Sequence, residues 1–499
     1  MKTPAAKVDD LTSSEGALRL DRFHEECAVV GVCGQPEAAN LAYLSLYALQ
    51  HRGQEGAGIV SSNGQALISH RGLGLVADVF NENIVRRLAG TSAIGHNRYS
   101  TAGETLLRNT QPLVVEFALG SLAVCHNGNF VNADEVRKRL EENGSIFQSN
   151  VDTEVLVHLV AGSRRPTLIE RVIDALAQVQ GAHCLLFLSE DEMIAARDPH
   201  GFRPLVLGKF ASGGWIVASE TCALDLVEAE YVREVEPGEI LHFSGGEMRS
   251  LRPFTQVSRN SCIFEYVYFA RPDSRVFGRN VYEVRKELGR QLARESPVEA
   301  DIVIPVPDSG LPAALGFAEE ARLPFEMGLI RNHYVGRTFI EPQESIRNFG
   351  VKVKLNAQRD ILNGKRVVVI DDSIVRGTTS RKLVRMIRAA GAAEVHVRIS
   401  APPTISPCYF GVDTPTHEEL IANNLDVEGI RKYLLADSLA YLSQDGLYSF
   451  LGGPAPGFCD ACFTRNYPVS VNHDQEQRQM RLFHALEMQP GAARIPPRS

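Results

Sequence analysis

The stretch Val367-Val368-Val369-Ile370-Asp371-Asp372-Ser373-Ile374-Val375-Arg376-Gly377-Thr378-Thr379-Ser380 combines the parts needed to hold a phosphorylated sugar. β-Branched apolar residues run straight into two carboxylates, a short loop follows, and a helical pattern then covers 380–390. N–H groups in the first turn of a helix have no intrahelical partner, and the helix dipole favours an anion there. Gly377 lets the backbone turn tightly and approach a ligand. Thr378, Thr379 and Ser380 add hydroxyl donors for phosphate oxygens. Asp371 and Asp372 repel phosphate, so they suit ribose hydroxyls or a Mg²⁺ beside a diphosphate. The Lys of a P-loop is missing, which counts against a nucleoside triphosphatase.

A second group of reactive residues lies near the N-terminus. His24-Glu25-Glu26-Cys27-Ala28-Val29-Val30-Gly31-Val32 comes first, followed by His51-Arg52-Gly53-Gln54-Glu55-Gly56 and Gly95-His96-Asn97-Arg98-Tyr99-Ser100. His126-Asn127-Gly128-Asn129 and Asp152-Thr153-Glu154 complete the series. One by one these read as a Cys opening a strand, glycine-rich turns, an Asn-Gly hairpin and a helix cap. As an ordered set they are far more specific.

The elements that must position these groups follow from periodicity. Strands are predicted at 28–32, 57–61, 121–125, 183–188 and 215–218, with helices at 37–50, 133–143 and 153–161. Asn132 and Asp152 occupy the N-cap positions of the last two. This is an α+β pattern, with helices packed on antiparallel sheets. From about residue 275 strands and helices alternate: helix 282–294, strand 301–306, helix 311–322, strand 366–370, helix 379–390, strand 394–399. Alternation of this kind implies a parallel sheet with ligands at the carboxyl ends of its strands. Asp371 and Asp372 fall at such an end, as does Pro307-Asp308-Ser309-Gly310. The stretch 331–356 has weak periodicity and many charges, the profile of a lid.

Composition limits the possibilities. A chain of 499 residues implies two or more domains. A net charge of −8 argues against a nucleic-acid partner held by bulk electrostatics. No apolar run is long enough to span a bilayer. Residues 1–26 lack a hydrophobic segment and carry several acids, unlike a secretory signal or transit peptide, so the cytoplasm is expected. Nine cysteines in such a chain are buried thiols, metal ligands or nucleophiles and not a disulfide framework.

The loop at 367–380 resembles the 5-phosphoribosyl-1-pyrophosphate (PRPP) binding loop of type I phosphoribosyltransferases. The N-terminal set resembles the glutaminase domain of N-terminal-nucleophile amidotransferases. Residues 24 to about 470 together resemble the glutamine PRPP amidotransferases that begin de novo purine synthesis, and most closely their branch with a cleaved leader and an iron–sulfur cluster. The resemblance implies a leader at 1–26, a glutaminase domain at 27–255, a phosphoribosyltransferase domain at 256–470 and a tail at 471–499. It implies Cys27 as nucleophile, Asn127 and Gly128 as oxyanion donors, and Arg98 and Asp152 on the carboxylate and ammonium of glutamine. Once 1–26 is removed, the Cys27 α-amine, with a pKa of roughly 7.7–8.0, can serve as general base. Ala28 stands where this family usually has Gly, and its methyl group could crowd the substrate. In the second domain the resemblance places PRPP on Asp371, Asp372, Ser373 and residues 376–380, with Tyr334 and Arg337 from the lid. Mg²⁺ would lie by Ser309, Asp371 and Asp372.

Cys262, Cys408, Cys459 and Cys462 match the cluster-ligand positions of the iron–sulfur branch. Four thiolates suit either [4Fe–4S] or Zn²⁺, and the resemblance favours the cluster. It also implies a homotetramer inhibited by purine nucleotides. Two rival functions are an amidotransferase making an amino sugar or asparagine, and a catalytically dead PRPP sensor that binds DNA. The PRPP-like loop counts against the first; the acidic balance and intact Cys27, Asn127 and Asp152 count against the second.

Overall fold

The apolar runs of the first half are continuous because the strands they form are covered on both faces. Gly181–Leu188 and Gly56–Ser62 are buried at every position. The computed structural model describes residues 27–99, 106–332, 355–412, 414, 416–453 and 456–471. A seven-stranded antiparallel sheet runs in the order Glu230–Glu234, Val206–Lys209, Trp215–Ala218, Ala28–Cys33, Ser92–Arg98, Gly56–Ser62, Leu67–Leu73. A six-stranded one runs Glu247–Leu251, Ile240–Ser244, Glu192–Arg197, Gly181–Leu188, Gly120–Phe130, Leu113–Phe117. Val29, Val60 and Ile94 of the first pack against Ala123, Leu186 and Met193 of the second. Helix Ala38–Ala48 covers the outer face of the first sheet, and Thr153–Gly162 with Leu168–Leu176 covers that of the second. The four layers are helix, sheet, sheet and helix, as the α+β pattern predicts.

In the second half Ile302–Pro305, Arg366–Asp371, Glu394–Ile399 and Ser438–Tyr441 pair in parallel, in that order. Helices Val281–Glu295 and Leu311–Ala321 bury one face, Thr378–Ala389 and Val427–Leu434 the other. The first pair touches backbone to backbone: a Cβ at Gly289 would lie 1.9 Å from Ala313 O. Only glycine permits that approach. The chain's C-terminal described segment is tied back by Phe458–Cys459, which pairs with Ser261–Cys262.

Three expectations need correction. The predicted helix 37–50 ends at Ala48, and a 3₁₀ turn Gln50–Arg52 follows. Asn127-Gly128 is no hairpin but lies inside the long strand Gly120–Phe130, because both neighbours stay paired with Gly181–Leu188. Asn132 and Asp152 precede their helices without capping them. Their side chains have better partners elsewhere: Asn132 bridges Gln178 O and Gln180 N, and Asp152 turns back to Phe130 N.

Candidate active sites and a cysteine pocket

Cys27 stands at the mouth of strand Ala28–Cys33, its Sγ 3.5 Å from Tyr99 O. Burial pushes its thiol pKa up; Arg98 pulls the other way, while Asp152 and Glu55 push further up. Such a thiol is no standing thiolate and needs a base to become a nucleophile. The neighbouring Ala28 does not crowd this side, since its methyl packs into the core facing helix Ala38–Ala48. Cys33 is half-buried at the other end of the strand, with Ser92 Oγ 3.5 Å from its Sγ.

Asn127 is fully buried, yet neither its Oδ1 nor its Nδ2 has a hydrogen-bond partner. A buried amide left unpaired costs about 1–3 kcal/mol per group, so the position calls for a ligand. By strand alternation its side chain shares the inter-sheet face with Cys125, whose Sγ reaches Gly95 O at 3.7 Å. Gly128 has φ +146°, and a Cβ there would lie 2.1 Å from Ala182 O. Arg98 ends strand Ser92–Arg98, buried, with Nη1 donating to Asn109 O at 2.6 Å. Asp152 Oδ2 accepts from Phe130 N at 3.0 Å, and His126 Nδ1 lies 3.4 Å from Oδ1. Burial pushes the Asp152 carboxyl up, but His126 and the backbone donors outweigh it and hold it below the usual range. Asp152 is thus ionised at neutral pH, as an ammonium clamp must be. Cys27, Asp152 and Glu55 all act electrostatically on Arg98, so these elements converge on one place.

The acceptor site forms at the carboxyl edge of the parallel sheet. Val306 N donates to Ile370 O at 2.8 Å, which sets the 307–310 turn beside Asp371. A Cβ at Gly310 would lie 2.5 Å from Ile370 O, so the turn is pressed against the strand end. Asp371 and Asp372 are buried, and Asp372 Oδ2 and Ser309 Oγ are buried without hydrogen-bond partners. Ser373 Oγ donates to Asp372 Oδ1 at 2.5 Å. Gly377 takes φ +78° and leads into helix Thr378–Ala389, whose first turn has no side-chain cap. Thr378 is exposed, Thr379 half-buried and Ser380 buried, around the same turn. Arg376 pairs with Glu419 at 3.0 Å, just before Gly377. Arg331 pairs with Asp308, and strand Leu329–Arg331 joins Leu355–Ala357 at the stem of the predicted lid. Tyr334 and Arg337 lie outside the described residues.

Cys262, Cys408, Cys459 and Cys462 line one pocket together with Phe410 and Tyr467. Burial raises all four thiols, Cys262 and Cys459 to about 12, and repulsion from neighbouring cysteines adds to it at Cys262, Cys459 and Cys462. Thiolates here need a cation among them. Among the described residues no group of three or more His, Cys, Asp or Glu is gathered closely enough for a single metal ion. Cys125, Cys184 and Cys222 are buried, in keeping with inert thiols.

Sequence reasoning missed a buried charge network between the two halves. Arg52 bridges Glu220 and Glu265, and Arg203 stands 3.3 Å from Glu265. Arg285, also buried, donates to Tyr266 O and Ala270 O at 2.7 and 2.8 Å and feels the charge of Asp372. The available signal was a charge inside an apolar stripe: Arg285 falls among Val281, Val284, Leu288 and Leu292, and Glu265 among Phe264, Tyr266 and Val267.

Comparison with known proteins identifies the family. A glutamine amidotransferase domain model matches residues 96–226. The chloroplastic amidophosphoribosyltransferase of Glycine max is 55% identical over 455 residues, covering 91% of this chain and 80% of that one. The amidophosphoribosyltransferase of Bacillus subtilis strain 168 is 50% identical over 457 residues, covering 91% and 96%. The solved glutamine PRPP amidotransferase from B. subtilis, complexed with ADP and GMP, aligns with a TM-score of 0.86 at 50% identity over 90% of this chain and 98% of that one. With a glutamine amidotransferase fold joined to a parallel-sheet phosphoribosyltransferase fold, the chain belongs to the amidophosphoribosyltransferase family, enzymes of the first step of purine biosynthesis.

Proposed function

We propose that residues 27–255 hydrolyse glutamine and residues 256–470 pass the released ammonia to C1 of PRPP, after cleavage of a leader at 1–26. The Cys27 α-amine takes the thiol proton, and Sγ attacks the side-chain amide carbon of glutamine. Asn127 Nδ2 and the Gly128 N–H hold the oxyanion, Arg98 the carboxylate and Asp152 the ammonium. The protonated amine returns its proton to the leaving nitrogen, ammonia departs, and water cleaves the Cys27 thioester to glutamate. At the second site ammonia forms the C1–N bond as the bond to pyrophosphate breaks, giving 5-phosphoribosylamine. The ribose faces Asp371 and Asp372, and the 5-phosphate sits on Ser373, Gly377, Thr378, Thr379 and Ser380 at the open helix terminus. The observation that carries the donor half is Asn127: a buried amide with no partner on the face that carries Cys125.

The unpaired oxygens of Ser309 and Asp372, beside Asp371, fit Mg²⁺, which when bound neutralises the pyrophosphate leaving group. The four pocket thiols fit a [4Fe–4S] cluster, which ties segment 456–471 to the body and adds folding energy. The B. subtilis relative was solved with ADP and GMP, which supports feedback by purine nucleotides here. A homotetramer in the cytoplasm completes the reading; among the described residues no helix is long and apolar enough to cross a membrane.

Glutamate release from glutamine, with and without PRPP and Mg²⁺, tests the coupling: strong stimulation by PRPP is expected, and indifference to it refutes the scheme. N-terminal sequencing of active enzyme should begin at Cys27, and a start at Met1 would sink the processing step. Anaerobically purified protein should contain iron and acid-labile sulfide; colourless zinc protein would overturn the cluster.

A further inference from the structure

The strand that carries Asn127 and Gly128 is touched from outside its own half of the chain. Asn129 Nδ2 donates to Tyr409 O at 2.9 Å. Two residues on, Gly411 takes φ +100°, and a Cβ there would lie 2.9 Å from Gly128 Cα and 3.0 Å from Gly128 C. On its other side Gly128 is backed by Ala182 O, so its peptide is held from two directions. The touching loop is itself fixed. Phe410 stacks on Phe202 at 4.3 Å, and both share a small core with Val131, Ala182 and Tyr409. Phe410 N donates to Cys408 Sγ at 3.3 Å, and Cys408 N donates to Thr414 Oγ1 at 2.7 Å.

We propose that Tyr409, Phe410 and Gly411 are positioning residues for the oxyanion donors, so that the glutaminase site is completed by the phosphoribosyltransferase half. The proposal rests on the reading of Asn127 and Gly128 given above. An oxyanion donor works only when aimed at where charge develops, within about 0.5 Å. Substrate glutamine is held instead by Arg98, fixed through Asn109 O, and by Asp152, fixed through Phe130 N. A shift of the Gly128 peptide therefore weakens the transition state and leaves ground-state binding alone. A merely structural loop would have no reason to separate the two.

The test uses the mature full-length enzyme and three variants. Gly411→Ala forces a methyl group onto Gly128; its glutaminase kcat should fall about 10- to 100-fold, part of the 10²–10³ an oxyanion donor supplies. KM for glutamine should stay within about twofold, and ammonia-dependent phosphoribosylamine synthesis should be unchanged. Asn129→Ala, which removes the tether without adding bulk, should show the same pattern at about 3- to 10-fold, the scale of one hydrogen bond. Asn127→Ala reports on the underlying reading. If Asn127→Ala loses kcat while Gly411→Ala and Asn129→Ala keep it, the positioning role is wrong. If Asn127→Ala keeps kcat, the oxyanion assignment itself is wrong. If the loop variants lose ammonia-dependent activity as much as glutaminase, the loop is structural only and the proposal is overturned.

Discussion

The donor and acceptor sites are built in opposite ways. Around Cys27 the groups sit on strand ends, a strand interior and a helix start of a four-layer stack: Arg98, Asn127 and Asp152 are each held by packing or by fixed partners. Around Asp371 the groups sit on turns at the carboxyl edge of the parallel sheet. Both sites leave buried polar atoms unpaired, Asn127 in one and Ser309 with Asp372 in the other. In the proposed mechanism the partner missing from the first is a transient oxyanion, and those missing from the second are a cation and a sugar diphosphate. A preorganised pocket suits a covalent step whose oxyanion donors must be aimed in advance, whereas an edge site suits a large ligand that must enter and leave.

The contrast is broken most severely by removing the nucleophile. Cys27→Ala should abolish glutamine-dependent synthesis, by on the order of 10⁴-fold or more, while ammonia-dependent synthesis continues. Assaying one preparation with both nitrogen sources decides it, and equal loss of both would mean that the two sites are not separable. Asp372→Asn should do the reverse, lowering synthesis from either nitrogen source by roughly 10- to 100-fold through one lost charge-assisted contact. Its basal glutamate release should persist but lose its response to PRPP. Asp152→Asn should act inside the donor site alone and mainly on KM for glutamine, by about tenfold, since it binds ground state and transition state equally. A fall in kcat at constant KM would make Asp152 part of the chemistry and not a clamp.

The two regions were also unequally legible. The acceptor site could be read from local chemistry, because a buried strand, a carboxylate pair and a helix start follow one another in the chain. The donor site could not: Cys27, Arg98, Asn127 and Asp152 come together only through pairing of strands that are distant in sequence, and each local motif had an ordinary alternative. The Asn-Gly step shows the limit. Taken alone the step reads as a hairpin turn, but pairing with Gly181–Leu188 keeps it inside a strand. The order of the motifs, through resemblance, supplied what periodicity lacked. The inter-half network of Arg52, Glu220 and Glu265 had no such aid, because a buried ion pair is defined by its partner and the partner is remote.

The smallest effect separates the halves by pH. His96 and His183 are buried in the donor half, and burial holds both at about 3. Their ordinary value is near 6.5, so below that pH the unfolded chain takes up protons that the folded one refuses. Nothing is lost above pH 7. Stability falls as pH drops through about 6.5, by up to about 1.4 kcal/mol per pH unit for each histidine, until about pH 3. The depressed carboxyl of Asp152 acts in a lower window, since its contribution is present above about pH 4 and is lost only below it. By pH 5 the two histidines cost about 2 kcal/mol each, offset in part by Asp198, whose carboxyl burial pushes up. The single tryptophan, Trp215, lies in the seven-stranded sheet and packs near Phe243, so its fluorescence reports the donor half. Urea midpoints read from Trp215 should drop between pH 7 and 5, and His183→Asn should remove part of the drop. A midpoint indifferent to pH over that range would mean that the donor interior is wetter, and less preorganised, than its comparison with the acceptor edge requires.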